Sequence, residues 1–407
     1  MNRTTGAQRA IGFGLLITLA QIFVSVVLIA PQGAWRDRYH TLVQHDSYWF
    51  ANIVDRGYGT IVPPIDHKLM EVSNVAFFPA YPGIASVLHS LGLETYDALL
   101  VTAQLAAWGF WSYFFLLCQR WNIPTIRQIF GGIAIAAHPS AFFLIAGYSE
   151  SLFLAMLLGF VYWSGAEGRA AKVIAALHGM VMSATRIVGI PCAAFPVVRA
   201  IFEGGWKQLR DVRNWFRNYG GAVALMFSAM LGAIGFFIYC QLRWGVWNLY
   251  MQTQEAGWAI SPDYLAVLKP TSYHWLIPPL DDPTLWSQMT MTVGALLFLV
   301  VALCEFVPAV RRRTQWQSRV GLYFVAFTTY YIAVSGVASV AMESMLRYQF
   351  CAHVLIVLAL LHFLKQLRPP PLPARALGMA VVALICAAGL SLQGWWIWNF
   401  TRGGWVA

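Results

Sequence analysis

Four ionisable residues of this sequence lie in apolar surroundings and are candidates for a chemical role. Asp46 lies in the stretch HDSYWFANIVDRGYG, just after the first long apolar run, and Glu150 lies in YSES. Arg186 lies between two apolar segments in SATRIVGIP, and Arg347 begins another in SMLRYQF. Ionisable side chains at membrane depth are costly, and their default role is functional. Two guanidinium groups and two carboxylates suit an anionic ligand and a proton-transfer step.

Each of the four also has a simpler structural role. Asp46 would be a solvated charge on an interfacial helix, and Glu150 would cap the helix that follows it. Arg186 would extend to the membrane surface, although the glycine and proline after it break the helix there and favour a function. Glu343 and Arg347 are four residues apart and would pair on one helix. Both kinds of role remain open for these residues.

The elements that must position these residues are membrane helices. Hydrophobic residues make up 59% and charged residues 11% of the 407 residues, whereas soluble domains carry about a quarter charged residues. The apolar runs predict eleven crossings, at 10–30, 98–118, 128–147, 150–165, 172–185, 187–202, 220–240, 289–309, 320–340, 346–364 and 376–396. The segment 79–93 is predicted to be interfacial or a twelfth crossing. We therefore expect one all-α polytopic membrane domain over 1–407, without a nucleotide-binding domain.

The distribution of charge predicts which ends of these helices face the cytoplasm. With a cytoplasmic N-terminus, 18 of the 27 Lys and Arg residues and 4 of the 17 acidic residues fall inside, as the positive-inside rule requires. The inner clusters include Arg199, Lys207, Arg210, Arg213, Arg217 and Arg311–Arg313. Most acidic residues fall in two long external loops, 31–78 and 243–288. We expect a site on the external face of the plasma membrane, and no nucleic-acid partner.

The first external loop is predicted to contain amphipathic helices. Asp46, Trp49, Phe50 and Ile53 share one helical face, because residues three and four apart are neighbours on a helix. Such a helix would lie on the bilayer and hold Asp46 at the level of lipid headgroups. Aromatic residues of the second loop would stack on sugars or anchor at the interface; they are Trp247, Tyr250 and Trp258.

The sequence predicts no metal site and no required cofactor. All six cysteines lie in or beside apolar segments, which predicts neither a disulfide framework nor a zinc site. No D-x-D motif is present, and Asp281–Asp282 precedes Pro283 as a turn would.

Five short stretches stand in order along the sequence: HDSYWFANIVDRGYG, VAFFPAYPG, HPSAFFLIAGYSES, SATRIVGIP and SMLRYQF. Together they resemble the stretches of one protein family, the PIG-V family of GPI mannosyltransferases and its prokaryotic relatives. The first-loop pattern of that family, W-D-x-x-x-F/Y-x-x-I-A-x-x-G-Y, is matched in register at Asp46, Phe50, Ile53, Gly57 and Tyr58. His45 replaces the tryptophan, and Val54 replaces the alanine.

The other stretches follow in the family's order over most of the chain. A-F-F-P-x-Y-P is matched at 76–82, N-P-A-S-x-F…Y-S-E-S at 138–151, A-T-R-x-x-G at 184–189 and R-Y/F at 347–348. His138 stands where the family has asparagine. Each stretch is short, and the ordered set is what carries the resemblance.

The resemblance implies a GT-C-type fold with about 11–12 transmembrane helices and a glycosyltransferase activity. Such enzymes take a sugar, typically mannose, from a polyprenyl-phosphate carrier, and this family forms its product with inversion. An acidic residue of the first external loop acts as the base. The expected partners are a polyprenyl-phosphate sugar, a lipid or glycan acceptor and membrane lipids.

The resemblance also implies roles for individual residues. Asp46 is the predicted base, and Asp37 and Asp55 are its rivals. Binding of the donor phosphate is assigned to Arg186, Arg347 and His138. Binding of the sugar or acceptor is assigned to Tyr148, Glu150, Trp49, Tyr58, Tyr81 and Tyr348.

A transporter or flippase of an anionic lipid is the competing prediction. It would use the same arginines to bind its substrate. Transporters usually contain internal repeats with paired broken helices, and the sequence shows no convincing repeat. Two long external loops favour the enzyme.

Overall fold

The computed structural model describes residues 3–62, 73–204, 212–308, 317, 319–365 and 371–406. In these residues the regular structure is helical, and no strand occurs among them. The α-helices, numbered α1 to α16 in chain order, are Arg3–Ile22, Trp35–His40, Asp46–Arg56, Ala80–Ser90, Thr95–Arg120, Thr125–Ala136, Glu150–Ser164, Arg169–Ser183, Gly189–Cys192, Phe195–Gly204, Trp215–Trp244, Leu249–Trp258, Pro283–Phe306, Val320–Val337, Met345–Lys365 and Leu372–Phe400.

Every predicted crossing contains helix, and the all-α membrane class is confirmed. Seven helical segments among the described residues are long and apolar enough to span a bilayer: Gly6–Ile29, Thr95–Arg120, Trp215–Trp244, Pro283–Phe306, Val320–Val340, Met345–Lys365 and Arg375–Phe400. The first of them ends in a π-helical stretch, Phe23–Ile29. The remaining predicted crossings contain shorter helices.

Two predicted crossings differ from the observed helices. The segment 128–147 is not one helix, because α6 ends at Ala136 and a 3₁₀ helix, Pro139–Leu144, follows. Pro139 lacks a backbone N–H and cannot continue the α-helix. The segment 187–202 is divided into α9 and α10. The interfacial prediction for 79–93 corresponds to the 11-residue helix α4, which is shorter than a bilayer crossing.

The predicted first external loop contains two helices, α2 and α3, of which α3 is amphipathic. On α3, Phe50 and Ile53 are buried, and Asp46 and Trp49 are partly buried, so the predicted face points into the protein. The predicted loop segment 63–72 lies outside the described residues.

Helix α5 forms the centre of the bundle and packs against α1, α4 and α7. Its residues Phe110, Trp111 and Phe114 are fully buried. Lipid tails are as apolar as these side chains, so the helices associate through close van der Waals contact rather than through exclusion of water.

Small residues bring α7, α8 and α11 together. A Cβ added at Gly179 would overlap Ala229, and one added at Gly232 would overlap the carbonyl oxygen of Met180. Close approach of backbones at glycine is the usual way in which membrane helices pack tightly. This packing fixes the end of α8, which leads directly to Arg186.

The two ends of the bundle differ in charge. At the end that contains the start of α1, Gln119 donates to the carbonyl of Gly6 at 3.0 Å, and Lys365 donates to the carbonyl of Trp121 at 2.7 Å. Arg120 and Arg199 also meet there, around Gly165. Asp46, Glu150, Arg186 and Arg347 lie together at the opposite end. The predicted clusters at Lys207, Arg210 and Arg311–Arg313 fall outside the described residues.

The first testable prediction concerns the glycine contact between α8 and α11. Gly232→Ala should destabilise the protein by about 1–3 kcal/mol, because overpacking forces the backbones apart. Gly235→Ala is the matched control, since nothing lies within 4 Å of its added Cβ. Thermal unfolding in detergent measures both variants. Equal unfolding temperatures would contradict the close packing at Gly232.

Candidate active site

Arg347 joins the two carboxylates of the site. Its Nη1 donates to Oδ2 of Asp46 at 2.7 Å, and its Nε lies 3.2 Å from Oε1 of Glu150. Arg186 completes the group, because its Nη1 lies 2.6 Å from the same Glu150 oxygen. Two positive and two negative side chains therefore form one continuous network.

The network is largely withdrawn from water, and the exposure of its members is unequal. The side chain of Glu150 is 2% exposed and that of Arg347 is 5% exposed, whereas Asp46 and Arg186 are 19% and 17% exposed. Oε2 of Glu150 is buried and has no hydrogen-bond partner among the described residues. A buried carboxylate oxygen without a partner is costly. It is available to a donor group of a ligand.

All four charged residues line one cavity of about 500 Å³. One wall is apolar and comes from a single face of α14, where Thr329, Ile332, Ala333 and Gly336 follow a spacing of three and four residues. A site that combines a charged end with an apolar wall suits an amphiphile with an anionic head.

Backbone strain places Asp46 at the start of α3. His45, the residue before it, has φ of +50°, which non-glycine residues rarely adopt. The His45 ring is held by the carbonyl of Gly404 at 3.1 Å and by an edge contact with Trp405. The histidine that replaces the family's tryptophan is therefore a packing residue for the turn.

A second strained stretch precedes Arg347. Ala341, Met342 and Ser344 all have φ between +53° and +64°. Strained backbone of this kind persists only where the surrounding structure enforces it, and it concentrates at functional sites. Arg347 follows at the third position of α15 and pairs with Asp46 and Glu150 rather than with Glu343.

Arg186 is positioned by the tight turn that ends α8. A Cβ added at Gly189 would lie 2.6 Å from Cα of Ser183 and 2.7 Å from the carbonyl oxygen of Met182. Only glycine fits that approach. The Arg186 guanidinium also lies over the Tyr348 ring, 5.0 Å from its centre.

Of the ten residues predicted for the site, six line the cavity: Asp46, Tyr148, Glu150, Arg186, Arg347 and Tyr348. Trp49, Tyr58 and Tyr81 do not line it. Trp49 packs on Phe77 and Trp258, Tyr58 donates to the carbonyl of Phe77, and Tyr81 donates to the carbonyl of Leu99. These three aromatics support the walls of the site, and the geometry gives them no contact with a ligand in the cavity.

His138 is the largest departure from the predicted set. Its Nε2 lies 3.2 Å from Oε1 of Gln349, and its Nδ1 accepts from the backbone N–H of Ser140. Both ring nitrogens are therefore engaged within the protein, and His138 is absent from the cavity lining. A phosphate contact at His138 does not fit this placement, which is that of a packing histidine.

Further lining residues come from the turn 76–78 and from α12, and of these the sequence had pointed to Tyr250, for sugar stacking or interface anchoring. The turn Ala76–Phe78 contributes a wall, and Gln254 lines the cavity while it donates to the carbonyl of Ala76 at 3.0 Å. Tyr250 also lines it. Burial raises the pKa of Tyr250, so its phenol remains a neutral hydrogen-bond donor. Tyr250 and Gln254 are four residues apart and share one face of α12. That this face lines the cavity is evident only from its contact with the turn 76–78.

The rival carboxylates lie elsewhere. Asp55 accepts from the hydroxyl of Thr95, and neither Asp37 nor Asp55 lines the cavity.

A group of possible metal ligands in the described part of the chain lies outside the cavity. His40, Glu94 and Asp97 bring possible ligand atoms within 4.8 Å of one another. Arg36 contacts both of these carboxylates, so it supplies the positive charge that a cation would otherwise provide.

The fold has counterparts among solved membrane proteins. ArnT from Cupriavidus metallidurans bound to undecaprenyl phosphate superimposes with a TM-score of 0.51 at 12% identity, over 96% of this chain and 75% of ArnT. The apo form of ArnT superimposes with a TM-score of 0.51 at 15% identity, over 93% of this chain and 64% of ArnT. The chain has the GT-C fold. The predicted fold class is thereby confirmed.

A third similar structure is the oligosaccharyltransferase of Archaeoglobus fulgidus tethered to an acceptor peptide. It gives a TM-score of 0.50 at 13% identity, over 98% of this chain and 55% of the oligosaccharyltransferase. The chain thus spans between about half and three quarters of the length of these proteins. No family model matches the sequence, and no curated protein is similar to it in sequence. The resemblance to the PIG-V family therefore stays a prediction.

The second prediction concerns the stability of the charge network. Glu150→Gln should cost about 3–5 kcal/mol, because it leaves the buried guanidinium of Arg347 and the partly buried one of Arg186 against one carboxylate. The exposed Glu167→Gln on the following loop is the control and should stay within about 0.5 kcal/mol. Chemical unfolding in detergent measures both. If the two variants prove equally stable, Glu150 is not the centre of the network.

Proposed function

We propose that this protein is a glycosyltransferase that moves a hexosyl residue, mannose in particular, from a polyprenyl-phosphate carrier to a lipid or glycan acceptor. The observation that carries the proposal is the meeting of Asp46, Glu150, Arg186 and Arg347 in one cavity with an apolar wall. The GT-C fold supports it, since ArnT with that fold was solved with undecaprenyl phosphate.

Asp46 is the proposed base. The acceptor hydroxyl would give its proton to Asp46 while its oxygen attacks the anomeric carbon of the donor. The bond between that carbon and the phosphate oxygen breaks, and its electron pair leaves with the polyprenyl phosphate. Attack opposite to the leaving group inverts the anomeric centre. Arg347 engages Oδ2 of Asp46, so the proton would go to Oδ1.

The two arginines are the proposed phosphate ligands. A guanidinium has five N–H donors, and the contact with Glu150 uses one nitrogen of Arg186. The negative charge that develops on the departing phosphate would be stabilised by groups already in place. The donor phosphate would also compete with Asp46 for Arg347, which frees the carboxylate to act as a base when the donor is bound.

The remaining lining residues divide between sugar and lipid. Oε2 of Glu150 would accept from a sugar hydroxyl, and Tyr148, Tyr250 and Tyr348 would supply phenol groups and ring faces. The apolar face of α14 would hold the first isoprene units of the carrier. No metal or other cofactor has a step in this proposal.

The charge distribution supports an orientation. The basic helix ends lie opposite the cavity, and basic ends face the cytoplasm in most membrane proteins. We therefore place the N-terminus in the cytoplasm and the cavity on the external face of the plasma membrane. Mannose, inversion and membership of the PIG-V family rest on the sequence resemblance.

The third prediction tests the base. Asp46→Asn should lower the transfer rate by about 10²–10⁴-fold, since general-base catalysis contributes that much. Asp37→Asn is the matched control in the same loop and should keep full activity, because Asp37 lies outside the cavity lining. The assay supplies labelled polyprenyl-phosphate mannose and a membrane lipid extract to the purified protein.

Three results decide between the proposals. A labelled product that depends on Asp46 supports the transferase. Full activity of Asp46→Asn would assign the base to another residue. Movement of the labelled lipid across vesicles without any product would favour the flippase and overturn the enzyme.

The fourth prediction tests the apolar wall. Gly336 lines the cavity, and nothing lies within 4 Å of a Cβ added there, so Gly336→Leu should fold and fill the space. We expect about 5- to 150-fold weaker use of the donor, equivalent to an overpacking cost of about 1–3 kcal/mol. Gly378→Leu, also in open space on α16, should have no effect. If the KM for the donor is unchanged in Gly336→Leu, the lipid carrier does not bind against this wall.

A further inference from the structure

The second external loop contains a stretch of large apolar side chains that the protein does not cover. In residues 264–280, which we name the apolar loop, six leucine, isoleucine and tryptophan side chains are between 57% and 84% exposed. They are Leu265, Leu268, Trp275, Leu276, Ile277 and Leu280. Lys269 is the single Lys or Arg of the loop, and it pairs with Asp263. A patch of this kind marks an interaction surface.

The contact with α13 shows how deep the apolar loop lies. The backbone N–H of His274 donates to the hydroxyl of Thr292 at 2.9 Å. Thr292 is nine residues into α13, roughly 13 Å along the axis at 1.5 Å per residue, and it falls within the apolar segment 289–309. Because the threonine side chain is short, the backbone of His274 must lie at about the same depth as Thr292. His274 therefore lies beside the membrane-spanning part of α13.

The contact with α14 gives the same depth independently. The hydroxyl of Tyr331 donates to the carbonyl of Tyr264 at 2.9 Å. Tyr331 is six residues before the end of α14 at Val337, roughly 9 Å from that end. Its ring stacks on Phe327, which is 48% exposed. Both anchors of the apolar loop therefore lie within the length of helices that can span a bilayer.

Part of the backbone of the apolar loop is satisfied without water. Two 3₁₀ turns, Ala266–Leu268 and Pro270–Ser272, pair backbone groups of residues 265–273. Pro270, Pro278 and Pro279 have no N–H to satisfy. Irregular backbone at membrane depth is tolerated where it packs against protein, and residues 274–280 contact α13 through the N–H of His274 and through the carbonyl of Pro279, which accepts from Trp286.

The apolar loop contacts α13 at Thr292, and the following turns of α13 expose large apolar side chains. On α13, Leu296, Leu299 and Leu303 are 44%, 54% and 58% exposed, as is usual for the lipid side of a spanning helix. This continuity favours acyl chains over a protein partner as the neighbour of the apolar loop. At its other end the loop adjoins the cavity, since Pro262 and Tyr264 line it.

We propose that the apolar loop is a re-entrant segment that inserts among the acyl chains of the leaflet at the cavity's end of the bundle. In this position the acyl chains of that leaflet reach the edge of the cavity at Tyr264. A lipid-linked substrate then reaches the charged network by lateral movement, without lifting its chain out of the bilayer.

Spin labelling tests this placement in the full-length protein in lipid nanodiscs. The partly exposed Cys304 and Cys386 are replaced by alanine, and a nitroxide is attached at Ile277→Cys. Leu303→Cys on α13 is the lipid-facing reference, and the exposed Asp281→Cys at the end of the second loop is the water-facing reference. Collision of the nitroxide with oxygen and with a water-soluble nickel chelate measures its environment.

We expect the label at residue 277 to match the label at residue 303, with high access to oxygen and low access to the chelate. Access to the chelate like that at residue 281 would place the loop in water and overturn the proposal. Low access to both reagents would mean that protein, such as a second copy of this chain, covers the loop, and would overturn it too. The measurement uses no transfer assay, so its result is independent of the proposed function.

Discussion

The contact of one guanidinium with two carboxylates organises the site end of this protein. Arg347 lies on α15, Asp46 on α3 and Glu150 on α7, so its contacts fix three elements that are distant in sequence. None of these charges could be buried alone, since an isolated buried ion carries a large desolvation cost. The network contains two positive and two negative side chains, so under the proposed function a monoanionic phosphate would enter it by replacing one carboxylate at Arg347 rather than by adding charge to an unpaired site.

Backbone hydrogen bonds hold the segments around that network. The N–H of Gly147 donates to the carbonyl of Leu42 at 3.0 Å, and the N–H of Ala80 donates to the carbonyl of Ala184 at 2.8 Å. The second bond joins two of the stretches that carry the sequence resemblance, 76–82 and 184–189, and the first joins the stretch 138–151 to Leu42, just before the first-loop stretch. The aromatics Tyr58 and Tyr81 of these stretches also bond to backbone carbonyls, those of Phe77 and Leu99, and they lie outside the cavity.

The sequence predicted well whatever depends on membrane solvation. Apolar length gave the helices, and the cost of burying charge led to Asp46, Glu150, Arg186 and Arg347 before any geometry was known. It did not indicate the contacts of residues whose partners are distant in sequence. His138 sits in a motif beside Glu150, yet its ring nitrogens face Ser140 and Gln349, and no local pattern encodes that direction. For α12 the sequence named Tyr250 and Trp258 as aromatics for sugar stacking or interface anchoring, but it did not indicate that Tyr250 and Gln254 line the cavity.

The strained turn before α15 has a consequence for the energy of the folded state. Left-handed backbone costs a non-glycine residue about 1–2 kcal/mol, and Ala341, Met342 and Ser344 all adopt it. Glycine at these positions would relieve that cost but would also let the turn sample other conformations. The turn therefore lowers the stability of the folded state but keeps the backbone before α15 in one conformation. A rigid turn keeps the Arg347 side chain directed at Asp46 and Glu150.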